Sequence, residues 1–124
     1  MISKELLSEV LGDEYKDRLV DWFQVEDNYL RTYYDCGKYD LQGRPTGLGI
    51  EINIHELAYL CKEWAYKQGF LIGSNCSQGI TVTDIDTHTV LNHFDVDIED
   101  FTEFEIKACQ WILEGTYMQT TKLT

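Results

Sequence analysis

Positive charge is what this sequence lacks most. Its 124 residues include 10 lysines and arginines against 22 aspartates and glutamates, a formal net charge of −12. Affinity for a phosphate backbone comes from lysine and arginine displacing condensed counterions. The balance therefore argues against nucleic acid as a direct ligand, and equally against an anionic membrane surface. No run of eighteen apolar residues occurs, so no transmembrane helix is expected. The opening MISKELLSEV carries acids in a polar helical pattern unlike that of a signal peptide. The expected product is soluble and cytoplasmic.

Other absences narrow the chemistry. The four cysteines, Cys36, Cys61, Cys76 and Cys109, never form CxxC, which removes the usual zinc and thioredoxin-like signatures. Reduced thiols are expected, with Cys61 and Cys109 acting as small hydrophobes on helical faces. No GxSxG or HExxH occurs, and Gly37, Gly43, Gly47 and Gly49 lack the lysine of a phosphate loop. His55 near Glu51 and His93 between Asn92 and Phe94 could each serve as a base beside a carboxylate. No serine, cysteine or lysine stands at a spacing that implies a nucleophile, so these read as surface or structural histidines. No internal repeat, linker or low-complexity tract interrupts the chain, and no cofactor is expected.

The 44% hydrophobic and 13% aromatic content is that of a folded globule. The best-defined stretch is Ile52 to Phe70, INIHELAYLCKEWAYKQGF. Asn53 can cap a helix by accepting from the amide of residue 56, and Ile52 with Leu57 can staple its start. Gly69 supplies the left-handed residue that ends it. Ile54, Leu57, Ala58, Cys61, Trp64, Ala65 and Gln68 follow 3.6-residue spacing, so one face must lie on apolar structure.

Upstream, Ser3 caps a short helix that carries Leu6, Leu7, Val10 and Leu11 and stops at Gly12. A second helix starts at Asp13 and reaches about Gln24. YLRTYY at 29–34 reads as a strand, DCGKYDLQGRPTG from Asp35 as an exposed loop, and the alternation around Leu48, Ile50 and Ile52 as a strand. The two strands could close as a long hairpin. Downstream, Phe70–Ser74, Ile80–Ile85 and Thr89–Asp95 form an antiparallel meander. Thr102 with Glu105 makes a capping box, Phe101 with Ile106 a staple, and the last helix stops at Gly115 before a polar tail that frays. The expected architecture is one α+β domain over 1–124, an antiparallel sheet with helices packed on one face in the order α-α-β-β-α-β-β-β-α. A helix pair occupies 1–24 and the sheet-and-helix core 48–115.

From Ile54 to Glu114 the order helix, three strands, helix resembles that of the double-stranded-RNA-binding domain, which implies two helices on one face of a three-stranded sheet. That family reads phosphates with a lysine-rich start to its last helix. Here the equivalent stretch is DIEDFTEFE, so the likeness implies an architecture and not the activity.

Between Asp84 and Glu105 lie eight carboxylates, Asp84, Asp86, Asp95, Asp97, Glu99, Asp100, Glu103 and Glu105, and no lysine or arginine. Three readings account for them. They could be a solvated face plus the acids that a helix N-terminus favours. They could be a docking surface for a basic protein, including one whose own ligand is nucleic acid, with carboxylates in place of phosphates. Or Asp84, Asp86 and His88 could hold a divalent metal ion with oxygen donors and one imidazole, although Thr89 and Asp95 break the calcium-loop pattern. Tyr59 and Tyr66, one heptad apart, lie partly off the buried stripe of their helix, and Tyr29, Tyr33, Tyr34 and Tyr39 cluster upstream. Tyrosine favours both cores and protein interfaces. The expectation is a non-catalytic acidic interaction protein, in size and sign like the inhibitors, accessory proteins or DNA mimics that phages and mobile elements encode. The alternatives are a small metal-dependent enzyme using Asp84, Asp86 and His88, and a homodimer paired through an edge strand at Tyr29–Tyr34.

Overall fold

The helix anticipated after Asn53 is present. The computed structural model describes the backbone of residues 2–12 and 23–123, with side chains over 2–12 and 25–115. The described residues form three helices and two three-stranded antiparallel sheets, an α+β fold. The chain divides into two compact units, Ser3–Leu57 and Ala58–Thr124 with Met1–Ile2, so the division falls inside a helix. No helix among the described residues is long and apolar enough to cross a membrane.

In the first unit, α1 spans Lys4–Leu11, and the Ser3 hydroxyl accepts from the Leu6 amide at 3.1 Å. Gly12, at φ +133°, ends the helix. The second expected helix falls mainly on residues 13–22, outside those described; its last two positions instead open strand β1, Phe23–Glu26. A tight turn at Asp27–Asn28, both at positive φ, returns the chain into β2, Tyr29–Tyr39. This strand pairs with β1 on one side and with β3, Pro45–Asn53, on the other. β2 is thus the central strand over Tyr29–Thr32, so that part of the edge expected at Tyr29–Tyr34 is paired on both sides. The ladder slips between Arg31 and Tyr33, and there the Ile50 amide donates to the Thr32 hydroxyl at 3.0 Å. The fully buried Thr32 thereby satisfies a backbone donor that the slip would strand.

The expected loop from Asp35 is mostly paired. β2 and β3 continue past the end of β1 as a two-stranded hairpin, closed over residues 40–44. The Asp40 carboxylate accepts from the Gln42 and Arg44 amides, each at 2.9 Å. Such an Asx turn does locally what glycine content alone suggested a loose loop would do.

Helix α2, Ile54–Lys67, follows β3 directly. Asn53 Oδ1 accepts from the amides of His55 at 2.9 Å and Glu56 at 3.4 Å, as the cap predicted. Leu57, Ala58, Cys61 and Ala65 are buried, and Gly69 ends the helix at φ +97°.

The second unit contains β4 Phe70–Asn75, β5 Gly79–Asp84 and β6 Val90–Phe94 in sequential antiparallel order. After a single 3₁₀ turn at Ile98–Asp100, α3 runs from Phe101 to Leu123. Antiparallel partners share a face. Ile72–Val82–Asn92 and Ser74–Ile80–Phe94 are cross-strand rows on the face that α3 covers. Ser74 bonds to Glu105, and the Phe94 ring lies 6.0 Å from that of Phe104 at 58°. Ile80, Val82, Ile106, Ala108, Cys109 and Ile112 are at most 1% exposed, and each large aliphatic among them contributes about 1.5–3 kcal/mol by leaving water.

Two expectations at α3 change. The helix begins at Phe101, so Thr102 stands inside its first turn, and the Glu105 carboxylate reaches Lys62 and Ser74. Gly115 does not stop the helix, which continues through the stretch expected to fray. Glycine permits a left-handed residue but does not impose one.

Gly79 illustrates where glycine is obligatory. It sits at φ +84°, and a Cβ there would lie 2.2 Å from the Phe94 carbonyl oxygen. Gly69, also at positive φ, has open space around it. Gly69→Ala is expected to cost about 1–2 kcal/mol for backbone conformation alone, whereas Gly79→Ala adds a backbone clash and is expected to exceed about 3 kcal/mol. Urea denaturation of the two variants measures the difference.

Candidate functional site

The eight carboxylates of the Asp84–Glu105 block do not share one face. Asp84 ends β5, and Asp86 lies in the turn that follows. The Asp84 Oδ1 accepts from the amides of Asp86 at 2.9 Å and Thr87 at 3.0 Å. His88 adopts φ +58°, and its amide donates to the Asp84 carbonyl. This carboxylate therefore organises its own hairpin turn. Among the described residues no group of three or more His, Cys, Asp or Glu side chains is arranged to hold a metal ion.

Asp95, Asp97, Glu99 and Asp100 lie beyond the other end of β6. The five residues of that strand separate the two groups by about 17 Å at 3.3 Å per residue. Glu103 and Glu105 belong to neither. Glu103 pairs with Lys107 at 3.4 Å, one turn along α3, and the Lys107 ammonium also lies 4.3 Å from the centroid of the Phe104 ring. Glu105 is 8% exposed and bonds to Lys62 at 3.1 Å and to Ser74 Oγ at 2.5 Å. It ties α3 to both α2 and β4, a structural role that composition could not distinguish from a surface acid.

The remaining group is compact. Asp95, Asp97, Glu99 and Asp100 are all exposed, and none has an ion-pair partner among the described residues. Their segment is held at both ends, by Phe94 against Phe104 and by the start of α3. The amide of Asp100 donates to the Asp97 carbonyl at 2.9 Å, closing the 3₁₀ turn. Between the acids Ile98 is 66% exposed. Acids here also suit the positive end of the α3 dipole.

Tyr59 and Tyr66 are 62% and 60% exposed on the solvent side of α2, with the Glu63–Lys67 ion pair on the same helix. No ring contact among the described residues joins either to the acids of 95–100. Of the other tyrosines, Tyr39 donates to Asp35 at 2.7 Å. That hydrogen bond, with a second from the Gly37 amide, holds the Asp35 carboxyl below the usual carboxylate range and pushes the Tyr39 phenol up. All four cysteines are free thiols. Cys109, buried against Cys61, has its thiol pushed far up, first by their hydrogen bond and then by burial, which disfavours the thiolate.

Sequence reasoning missed the face of the second sheet that α3 leaves open. Alternation places Leu71–Thr83–Val90 and Gly73–Thr81–His93 there as cross-strand rows. Ser77, Gln78, Thr81, Val90, His93 and Asp95 line an open depression of about 450 Å³ on it. A ring nitrogen of His93 is bonded to the Gln78 carbonyl. The signal that could have found this face is the absence of any lysine or arginine from Phe70 to Ile106, which includes all three strands.

No known protein family, curated protein or solved structure is significantly similar to the chain. The helix, three-strand, helix order shared with the double-stranded-RNA-binding domain is accordingly a likeness of order alone.

Lys62→Met leaves an almost fully buried carboxylate with Ser74 as its hydrogen-bond donor. It is expected to destabilise the protein by about 1–3 kcal/mol. Lys107→Met breaks a half-exposed pair and one cation–ring contact, at a cost of at most about 1 kcal/mol. Parallel urea titrations check the order.

Proposed function

We propose that this chain is a non-catalytic interaction protein that binds a basic protein partner, with the acids of residues 95–100 as its principal contact. The observation that carries the reading is the set Asp95, Asp97, Glu99 and Asp100. Four exposed carboxylates within six residues, none neutralised by a described cation, are held between a strand and a helix. Fixed like charges generate a field that attracts cationic groups and steers their encounter. Holding the acids on ordered backbone lowers the entropy that a partner's lysines and arginines must overcome to pair with them.

The partner class that fits includes proteins whose own ligand is nucleic acid, with carboxylates in the positions of phosphates. Size and charge suit the chain to the role of an inhibitor or accessory protein of a phage or mobile element. Tyr59 and Tyr66 offer a separate exposed aromatic pair on α2, suited to a partner large enough to reach it.

The test is capture from a host lysate on immobilised protein at 0.1 M and 1 M salt. Between these the screening length falls from about 10 Å to about 3 Å. Basic proteins are expected to be retained at low salt and released at high salt. Asp97→Asn, Glu99→Gln and Asp100→Asn together should abolish most of the capture while leaving the thermal midpoint within about 3 °C of the parent, since surface changes of this kind shift stability little. Equal capture by the triple variant would refute the assignment.

A further inference from the structure

We infer that the face of the β4–β5–β6 sheet opposite α3 is a docking surface for a short cationic segment of a partner protein, one that carries aliphatic side chains between its basic residues. This rests on the basic-partner reading above and specifies the surface and the chemistry of what lies on it.

The face is built by register. Ile72, Ile80 and Val82 point beneath α3, so their neighbours in each strand must point the other way. Leu71 and Val90, in one cross-strand row through Thr83, remain 52% and 58% exposed. In the next row Gly73 has no side chain, and a Cβ there would meet Thr81 Oγ1 at 3.2 Å. The missing volume keeps the surface low beside Thr81 and His93, where the depression lies. An aliphatic side chain laid on this face would cover Leu71 and Val90 and find no charged group to desolvate except Asp95 at the rim.

Charge selects the occupant. The exposed Asp86, in the turn between β5 and β6, stands at one end of the sheet and Asp95, Asp97, Glu99 and Asp100 at the other, with no lysine or arginine anywhere from Phe70 to Ile106. A ligand spanning about 17 Å, some five extended residues, would place basic groups over both ends and apolar groups over the middle. A second copy of this chain is disfavoured, because each copy carries a net charge of −12 and like charges oppose association.

The experiment uses two synthetic peptides of equal length and charge, acetylated and amidated: Lys-Lys-Leu-Val-Leu-Lys-Lys and Lys-Lys-Gly-Ser-Gly-Lys-Lys. Binding is measured by calorimetry or fluorescence anisotropy at 0.1 M salt. The full chain is expected to bind the aliphatic peptide about tenfold more tightly than the control, and the amide resonances of Thr81, Thr83, Val90 and His93 are expected to shift on its addition. Leu71→Thr with Val90→Thr keeps strand propensity at two half-exposed positions. It should erase the tenfold preference and leave control-peptide binding within about twofold of the parent. The triple variant at Asp97, Glu99 and Asp100 should weaken both peptides. A preference that survives Leu71→Thr/Val90→Thr, or that is absent from the parent while both peptides bind, overturns the sheet-face inference and leaves the basic-partner reading standing. Failure of both peptides to bind the parent overturns both.

Discussion

Two-residue alternation in the second sheet is the constraint from which the rest follows. Ile72, Ile80 and Val82 can leave water only beneath α3, and a strand that turns those residues inward must turn Leu71, Gly73, Thr81, Thr83 and His93 outward. A shift of one residue in any strand would expose the core and bury the polar row. The slip between Val82 and Thr83 is tolerated because it is absorbed on β6, where Leu91 takes up the extra position. The same alternation that creates the core therefore dictates what the opposite face offers.

Charge is distributed with comparable economy. The one acid of the block that is taken out of water, Glu105, receives an ammonium and a hydroxyl, as a buried carboxylate must. The acid beside it in the helix pattern, Glu103, is paired on the surface. Asp84 spends its lone pairs on amides of its own turn. What is left unpaired, apart from Asp86 in the β5–β6 turn, is concentrated in the short connection between β6 and α3. Eight acids with no lysine or arginine among them in sequence thus separate, once folded, into a hairpin organiser, a structural tie, a helix-surface pair and exposed groups.

Much of the fold was legible because its signals are local. Asn53 caps α2 and Gly69 ends it, Ser3 caps α1, and the strands at 70–75, 79–84 and 90–94 follow their alternation. These depend on contacts three or four residues apart, or on a simple period. What was not legible depends on pairing across distance. Phe23–Glu26 becomes a strand only because Tyr29–Thr32 offers a ladder, which then makes that segment central where an edge was expected. Asp35–Pro45, rich in turn residues, stays paired through the Asp40 and Asp35 hydrogen bonds. Glu105 looked like a capping residue because Lys62, forty-three positions away, is invisible to any window of sequence. For the candidate surface, the acids were identified from composition, whereas Leu71, Thr81 and Val90 needed register to be seen as neighbours.

The placement of the four thiols has a practical side. Cys61 and Cys109 are shielded on α2 and α3, while Cys36 on the β2–β3 hairpin and Cys76 in the β4–β5 turn face solvent. Maleimide or spin-label reagents would thus modify one position in each of the two compact units without any mutation. The native chain can report the distance between its halves, and how a bound partner alters it, by dipolar spectroscopy on a doubly labelled sample.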